Sequence, residues 1–284
     1  MNGLLVILNP AAGRGRAARL WPAIERRLRA SGTQFDLAVS SKPGDAEELA
    51  RRSMHETVAA AGGDGTVHEV VNGLMRAGAR ASLRVMALGS GDDFAKLLVP
   101  GAGMRALDIG RITSDGVVRY FANGMDIGFG AHGAANVARV PRLLTGFGAY
   151  LGALALTMLR YPLLRIRIRI DDAPAFDFRT AMTAAMNGTT FGGSFRVTPD
   201  ARPDDGLLDV LLVDAIGRLG ILRLVPKILR GVHAGDPQLR LLRARRLAIE
   251  SEEPLLVEAD GEIAFRAARR LEIACLPGAL RVCA

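Results

Sequence analysis

One stretch constrains this chain more than any other: Ala60-Ala61-Gly62-Gly63-Asp64-Gly65-Thr66-Val67-His68-Glu69-Val70-Val71-Asn72-Gly73-Leu74. Residues 57–61 are a short apolar run that reads as a buried strand. Glycines at 62, 63 and 65 then leave almost no side chain between the strand end and whatever lies above it. Val67, Val70, Val71 and Leu74 recur at helical spacing. The glycines therefore fall between a strand and a helix N-terminus, where backbone N–H groups and the helix dipole favour an anion such as phosphate. Asp64 is the informative oddity. A carboxylate beside a phosphate repels it unless a cation stands between them, so Asp64 points to Mg²⁺. The plainer alternative is a tight strand–helix turn with Asp64 as a cap.

The same architecture recurs along the first third of the chain. Residues 4–8 are a continuous apolar run, expected as a strand buried on both faces, and the small-residue loop Asn9-Pro10-Ala11-Ala12-Gly13-Arg14-Gly15-Arg16 leads into a helix to about Ala30. Gly13-Arg14-Gly15 could be half of a dinucleotide fingerprint, but Ala18 stands where the third glycine belongs, and no Walker A Lys-Ser/Thr follows. Residues 35–39 and 83–88 read as further strands, ending in Ser40-Ser41-Lys42-Pro43-Gly44-Asp45 and Gly89-Ser90-Gly91-Asp92-Asp93-Phe94-Ala95-Lys96. Successive β–α units imply a parallel sheet with helices on its faces, and ligands of such sheets bind at the carboxyl ends of the strands. The loops thus point at one crevice, with backbone donors, hydroxyls and metal-ready carboxylates.

Beyond about residue 116 strand-like stretches dominate, at 117–122, 163–170, 176–186, 207–213, 247–249, 255–259 and 271–274, with helices expected at 143–159 and 219–230. The expected division is 1–115, an α/β nucleotide-binding domain, and 116–284, a β-rich substrate domain whose last strand could return to the first. Arg165, Arg167 and Arg169 alternate with Ile166, Ile168 and Ile170, as on a half-buried strand with a basic outer face. Residues 143–159 carry no charge, yet fall short of the roughly 20 apolar residues that span a bilayer, which favours a buried or interfacial helix.

Composition narrows the partners. The chain has 284 residues, is 49% hydrophobic, which suffices for real cores, and carries a net charge of +8, which suits an anionic partner. Three tyrosines and one tryptophan offer few stacking platforms for nucleic acid, so none is expected. The two cysteines, Cys275 and Cys283, form neither a metal spacing nor a disulfide framework. A cytoplasmic setting is expected, and the N-terminus reads as a first strand rather than a signal peptide. A homodimer is compatible with the sequence, which does not specify one.

Two late motifs gather carboxylates: Asp200, Asp204, Asp205 and Asp209 around Asp205-Gly206, and Glu258-Ala259-Asp260-Gly261-Glu262. Both could be ordinary Asp-Gly hairpins. In an extended hairpin Asp260 and Glu262 would point to the same face. Two carboxylates that close can raise one pKa and make a base.

With these residues assembled, the chain resembles the bacterial lipid kinase family that includes soluble diacylglycerol kinases, related to eukaryotic sphingosine, ceramide and diacylglycerol kinases. Residues 9–15 are similar to the family's NPxxGxG, 62–66 to its GGDGT and 89–96 to its GTxNDFAR. Ser40–Ala46 is similar to its GDA segment. Ala106-Leu107-Asp108-Ile109-Gly110 resembles its domain-junction aspartate, and Asp204-Asp205-Gly206 and Asp260-Gly261-Glu262 its two C-terminal motifs. Ser90 and Ser40 stand for threonines of the family, and Asp92 for an asparagine. The resemblance implies a Rossmann-like α/β domain of NAD kinase/diacylglycerol kinase type plus a C-terminal β-sandwich, with an active site in the cleft between them.

It also implies roles. Backbone N–H groups of Gly62, Gly63, Gly65 and Thr66 would hold the phosphates of ATP, with Asn9, Gly13, Arg14, Ser40 and Ser90 adding contacts. Asp64 and Asp93 would hold Mg²⁺. Asp205 would ligate a separate structural cation with the carbonyls of Arg202 and Leu207. Asp108 would line the lipid head-group site, and Asp260 or Glu262 would take the proton from the lipid hydroxyl. The apolar segment and the arginine face would suit peripheral contact with an anionic membrane. Two rivals share the fold: an NAD kinase-like phosphotransferase, and a non-catalytic nucleotide- or lipid-binding protein.

Overall fold

The computed structural model describes residues 3–89, 93–98, 103–137, 139–140, 147–159, 163–192 and 194–283. The chain divides into two compact units: Met1–Leu107 together with Gly278–Ala284, and Asp108–Pro277.

The first unit alternates strand and helix: β1 (Leu4–Leu8), α1 (Ala12–Ala30), β2 (Phe35–Val39), α2 (Asp45–Arg52), β3 (Thr57–Gly62), α3 (Asp64–Arg76) and β4 (Ser82–Ala87). The strands are parallel, in the order β4-β3-β1-β2. The continuous apolar runs explain the central places of β1 and β3. Val6, Ile7, Val58, Ala59, Ala60 and Ala61 are fully buried, as strands covered on both faces require. On α3, Val67, Val70, Val71 and Leu74 are the buried stripe. On α1, Ala17 and Trp21 turn inward, and the Trp21 ring meets Phe35 edge-on at 6.1 Å between centroids. A short 3₁₀ turn, Ala95–Leu97, follows β4.

β5 (Met104–Ser114) carries the chain from the first unit into the second, which continues with β6 (Val117–Phe121), β7 (Gly124–Gly128), α4 (Phe129–Val137), α5 (Phe147–Leu159), β8 (Leu164–Ile170), β9 (Phe176–Met186), β10 (Leu208–Asp214), α6 (Arg218–Arg230), β11 (Leu239–Ala244), β12 (Arg246–Ala259) and β13 (Glu262–Cys283). Its strand pairs are antiparallel: β11-β10-β9-β7-β12 run side by side, β12 pairs with β13, and β8 pairs with both β9 and β12. One apolar cluster, including Phe121, Met125, Ile127, Ile168, Leu208, Leu212, Val257 and Leu271, fills the sandwich. A second, including Phe129, Leu154, Ala184, Leu211, Ile221 and Leu224, lies under the helices. On β8, Leu164, Ile166 and Ile168 are buried while Arg165, Arg167 and Arg169 are exposed, the alternation read from the sequence.

Several elements differ from the sequence expectation. Residues 247–249 and 255–259 belong to one strand, β12, whose register with β13 shifts between Glu250 and Leu255. The polar run Ser251-Glu252-Glu253-Pro254 makes a bulge rather than a strand end. β7 escapes a hydrophobicity reading because glycines bracket it and Asp126 interrupts it. The helix expected over 143–159 is α5, with 143–146 outside the described residues. Among the described residues no helix is long and apolar enough to cross a membrane.

The end of β13 completes the first unit's sheet. Val282 and Cys283 pair in parallel with Leu83 and Arg84 of β4, and Leu280 and Val282 are fully buried. Leu280→Ala should cost about 2–5 kcal/mol, the usual range for a buried leucine. Urea unfolding followed by the fluorescence of Trp21, the only tryptophan, should report that loss in the first unit.

Candidate active site

In the first unit the loops at the carboxyl ends of the parallel strands meet. β1 and β3 run in register, with Leu8 beside Ala61, and the Asn9 N–H donates to the Ala61 carbonyl at 3.0 Å. The Asn9 amide then joins two loops. Its Nδ2 donates to Thr66 Oγ1 at 3.1 Å, and its Oδ1 accepts the Ala11 N–H at 3.1 Å. Thr66 can sit there because residue 62 has no side chain: a β-carbon at Gly62 would lie 2.2 Å from Thr66 Oγ1. At Gly63 a β-carbon would approach Gly89 Cα to 3.2 Å, so the third and fourth loops also touch.

The first loop is shaped by backbone. Gly13, Arg14 and Gly15 are all left-handed, with φ of 58°, 58° and 82°, and they break the helical geometry at the start of α1. The Gly15 N–H closes this loop by donating to the Ala11 carbonyl at 3.1 Å. At Gly13 a β-carbon would also come within 2.9 Å of the Leu88 carbonyl oxygen. Arg16 fastens the loop by donating from Nη1 to the Gly89 carbonyl at 3.1 Å. Ser40 is buried, and its N–H donates to the Leu8 carbonyl at 2.9 Å.

Asp64 opens α3, where a carboxylate complements the helix dipole. Its Oδ1 accepts the Phe94 N–H at 3.3 Å, so the segment carrying Asp93 is held beside it. Asp93 is itself buried and accepts from Lys96 Nζ at 2.8 Å. The fold therefore brings the Asn9 loop, Ser40, Gly62–Thr66 and Asp93 to one end of the sheet. Ser90 lies outside the described residues.

In the second unit Asp260 and Gly261 form the two-residue turn between β12 and β13, with φ of 51° and 93° and Ala259 paired to Glu262. Both central residues at positive φ are the mark of a type I′ hairpin. The same-face arrangement suggested by spacing is therefore corrected: Asp260 lies in the turn, and Glu262 is the exposed first residue of β13. The Asp260 carboxylate accepts backbone N–H groups from Ala122 (2.9 Å), Asn123 (2.9 Å) and Gly124 (3.0 Å). Asn187 braces the same corner, donating to the carbonyls of Asp108 (2.6 Å) and Ala122 (3.0 Å).

Asp108 is buried, and its carboxylate accepts the Gly206 N–H at 2.6 Å, while its own N–H donates to the Pro203 carbonyl at 2.8 Å. It clamps the Arg202–Leu207 turn, where Asp205 Oδ1 accepts the Leu207 N–H at 3.1 Å. Arg243 approaches Asp205 at 3.9 Å and Asp209 at 3.3 Å. Burial, together with the charges of Asp108 and Asp205, pushes the Cys275 thiol up to about 12. Among the described residues no three acidic, histidine or cysteine side chains cluster as a metal site.

Sequence reading missed a pair of acids. Asp126 of β7 and Glu258 of β12 are directly opposite in register, and both are fully buried. Burial pushes both carboxyls up, Asp126 to about 7, and the negative charges of Asp126 and Asp260 push Glu258 in the same direction. A signal was present: each is a single carboxylate inside an apolar strand run, Met125-Asp126-Ile127 and Val257-Glu258-Ala259.

These geometries can be set against known proteins. Residues 3–128 match the family described as diacylglycerol kinase catalytic domain, and residues 123–284 match the YegS C-terminal NAD kinase beta sandwich-like domain. A Pseudomonas aeruginosa PAO1 protein named probable lipid kinase YegS-like is 32% identical over 275 residues, covering 89% of this chain and 86% of the relative. The chain belongs to the bacterial diacylglycerol kinase-like lipid kinase family. A Bacillus subtilis protein named diacylglycerol kinase is 26% identical, over 92% of this chain and 90% of that one.

Solved structures share the fold. One of a diacylglycerol kinase from Bacillus anthracis has a TM-score of 0.71 at 20% identity, over 99% of this chain and 96% of that chain. An NAD kinase from Archaeoglobus fulgidus in complex with ATP has a TM-score of 0.52 at 13% identity, over 99% and 93%. The lipid kinase fold is thus an α/β Rossmann-like domain followed by a β-sandwich. As a member of this family the chain is a kinase.

The clamp on the Arg202–Leu207 turn can be tested without any substrate. Asp108→Ala removes the acceptor for a partly buried N–H and should cost about 1–3 kcal/mol. Amide exchange at Gly206 should accelerate in that variant, while exchange in β3 stays slow.

Proposed function

We propose that this lipid kinase transfers the γ-phosphate of ATP to the hydroxyl of a lipid alcohol, diacylglycerol or a close analogue. The observation that carries the ATP half is the Asn9–Thr66 bond over the bare backbone of Gly62. That bond ties the loop after β1 to the loop after β3 at the carboxyl end of a parallel sheet, where phosphate ligands commonly bind. The Archaeoglobus relative of the same fold holds ATP. The names of the sequence relatives, lipid kinase and diacylglycerol kinase, support the acceptor half.

In this reading the N–H groups of Gly62, Gly63 and Gly65 bind the β- and γ-phosphates, the Thr66 N–H being taken by the Gly63 carbonyl at 2.9 Å, and Asn9, Gly13, Arg14, Ser40, Ser90 and the Thr66 hydroxyl orient them. Mg²⁺ fits the carboxylates present, because it is commonly held by one or two carboxylates with phosphate and water completing its shell. Asp64 and Asp93, brought together through the Phe94 N–H, would hold it. The ion supplies charge neutralisation for the phosphates. Arg202, Asp205 and Leu207 would hold a second cation through one carboxylate and two carbonyls, in the turn that Asp108 clamps.

Of the two acids of the hairpin, Glu262 is the better base. A carboxylate whose two oxygens already accept several backbone N–H bonds is pinned in place and has little lone-pair capacity left for a substrate hydroxyl. Asp260 accepts three such bonds. It therefore holds the turn, and Glu262 removes the proton from the acceptor hydroxyl. The exposed Arg165, Arg167 and Arg169 face brings the enzyme to an anionic cytoplasmic membrane surface, where its substrate resides.

The test is transfer of label from γ-labelled ATP, with Mg²⁺, into diacylglycerol in mixed micelles, with NAD as the competing acceptor. Label should enter the lipid phase. Asp64→Ala should lower the rate at least about 100-fold, and Glu262→Gln should lower kcat by about 10²–10⁴-fold with little change in the KM for ATP. Label appearing in NADP, or full activity in both variants, would reject the assignment.

A further inference from the structure

The buried acids Asp126 and Glu258 sit directly behind the hairpin turn that the proposed chemistry uses. They face each other across β7 and β12, on the sheet face that also carries Ala184 of β9 and Leu211 of β10. The apolar cluster under the helices supplies their surroundings. Neither Asp126 oxygen has a hydrogen-bond partner of good geometry, and neither has Glu258 Oε2. Glu258 Oε1 accepts the N–H of Gly261, the second residue of the turn. Asp126 is pressed against the start of α4, where a β-carbon at Gly130 would come within 1.9 Å of Oδ2; the Gly130 and Ala131 N–H groups there favour its charged form, and burial outweighs them.

The charged and titratable groups around the pair are few. The turn contributes Asp260, which adds negative charge. α4 contributes His132, whose Nδ1 is engaged with the Gly128 carbonyl at 2.9 Å. β9 contributes only Thr183, Ala184 and Ala185 opposite β7. Two anions in contact there would face the repulsion of each other and of Asp260 in a dry environment, which is several times stronger than in water. Two carboxyls so placed retain a proton between them, as one O–H···O bond.

We propose that Asp126 and Glu258 share one proton and that this proton holds the Asp260-Gly261-Glu262 turn in place. They are positioning residues. With the proton present, Glu258 is drawn towards Asp126 on one side and keeps the Gly261 N–H on the other. When it is lost, the two carboxylates separate and the turn loses its backing. The catalytic consequence rests on the reading of the turn given above; the structural consequence does not.

The sign follows from the direction of the shift. A carboxyl whose pKa is raised by folding contributes stability that is complete below its unfolded value of about 4. That contribution is lost as pH rises through the folded value, about 7 for Asp126. Glu258→Gln and Asp126→Asn each supply a permanent N–H in place of the proton. The melting temperature of either amide variant minus that of the wild type should therefore grow from pH 5 to pH 8, and the protection factor of the Gly261 amide, its exchange corrected for the intrinsic pH dependence, should fall over the same range in the wild type and stay level in Glu258→Gln. A pH-independent difference overturns the proposal. So does wild-type stabilisation by Mg²⁺ or Ca²⁺ that Glu258→Gln abolishes, which would make the pair a cation site.

The kinetic arm reads the consequence. Wild-type kcat should fall on the alkaline side by about tenfold per pH unit at its steepest. Glu258→Gln should move that limb upward by at least one pH unit. Glu258→Ala should lower kcat at every pH without raising the KM for ATP. An identical limb in the wild type and Glu258→Gln overturns the catalytic part. Should stability and exchange follow pH as expected while no lipid alcohol is phosphorylated, the kinase reading fails and the shared proton stands.

Discussion

A missing β-carbon at Gly62 allows the first unit to join the loops at the carboxyl end of its parallel sheet. Thr66 sits over that backbone, and any side chain at 62 would collide with its hydroxyl. Because Thr66 is there, Asn9 can reach it from the neighbouring strand's loop. Because Asn9 is tied down, the loop from Pro10 to Gly15 is held at one end, and Arg16 ties the other end to Gly89. Three loops are thereby tied to one another by their own bonds, which lowers the ordering that any ligand binding there would require.

The second unit solves a different problem, the placement of carboxylates away from water. Each has a distinct compensation. Asp260 accepts three backbone N–H groups, and Asp108 clamps the turn at Gly206. Asp209 lies against Arg243. Asp126 and Glu258 lie against each other, with the Gly261 N–H on Glu258 and the N–H groups of Gly130 and Ala131 towards Asp126. This graded set explains how several carboxylates within two hairpins can play unequal roles. Three backbone N–H bonds make Asp260 an anchor of the turn, while Glu262 is exposed.

Much of the first unit was legible because its signals are local. Continuous apolar runs at residues 4–8 and 57–61, each followed by small residues and then a 3.6-residue period, specify strand, loop and helix with little competition. The alternation of β8 was equally plain. The second unit hid more. β7 is short, flanked by glycines and split by an acid, so its place between β9 and β12 comes from long-range pairing alone. β12 reads as two strands because its bulge carries Ser251-Glu252-Glu253-Pro254. The site followed the same division. The glycine loop could be read from its spacing. The bonds from residues 122–124 to Asp260 join positions far apart in sequence, and the Asp126–Glu258 contact exists only once two strands pair.

The claim on which the rest depends is that the Gly62–Thr66 loop receives the phosphates of ATP. Amide NMR during an ATP titration tests it most directly. The account predicts that the largest shifts fall on Gly62, Gly63, Gly65 and Thr66 and on Gly13 to Gly15, and that Gly62→Ala removes them while leaving the amides of β8 and β9 unchanged. Saturable ATP binding with those amides unmoved, or with the same shifts in Gly62→Ala, would contradict it.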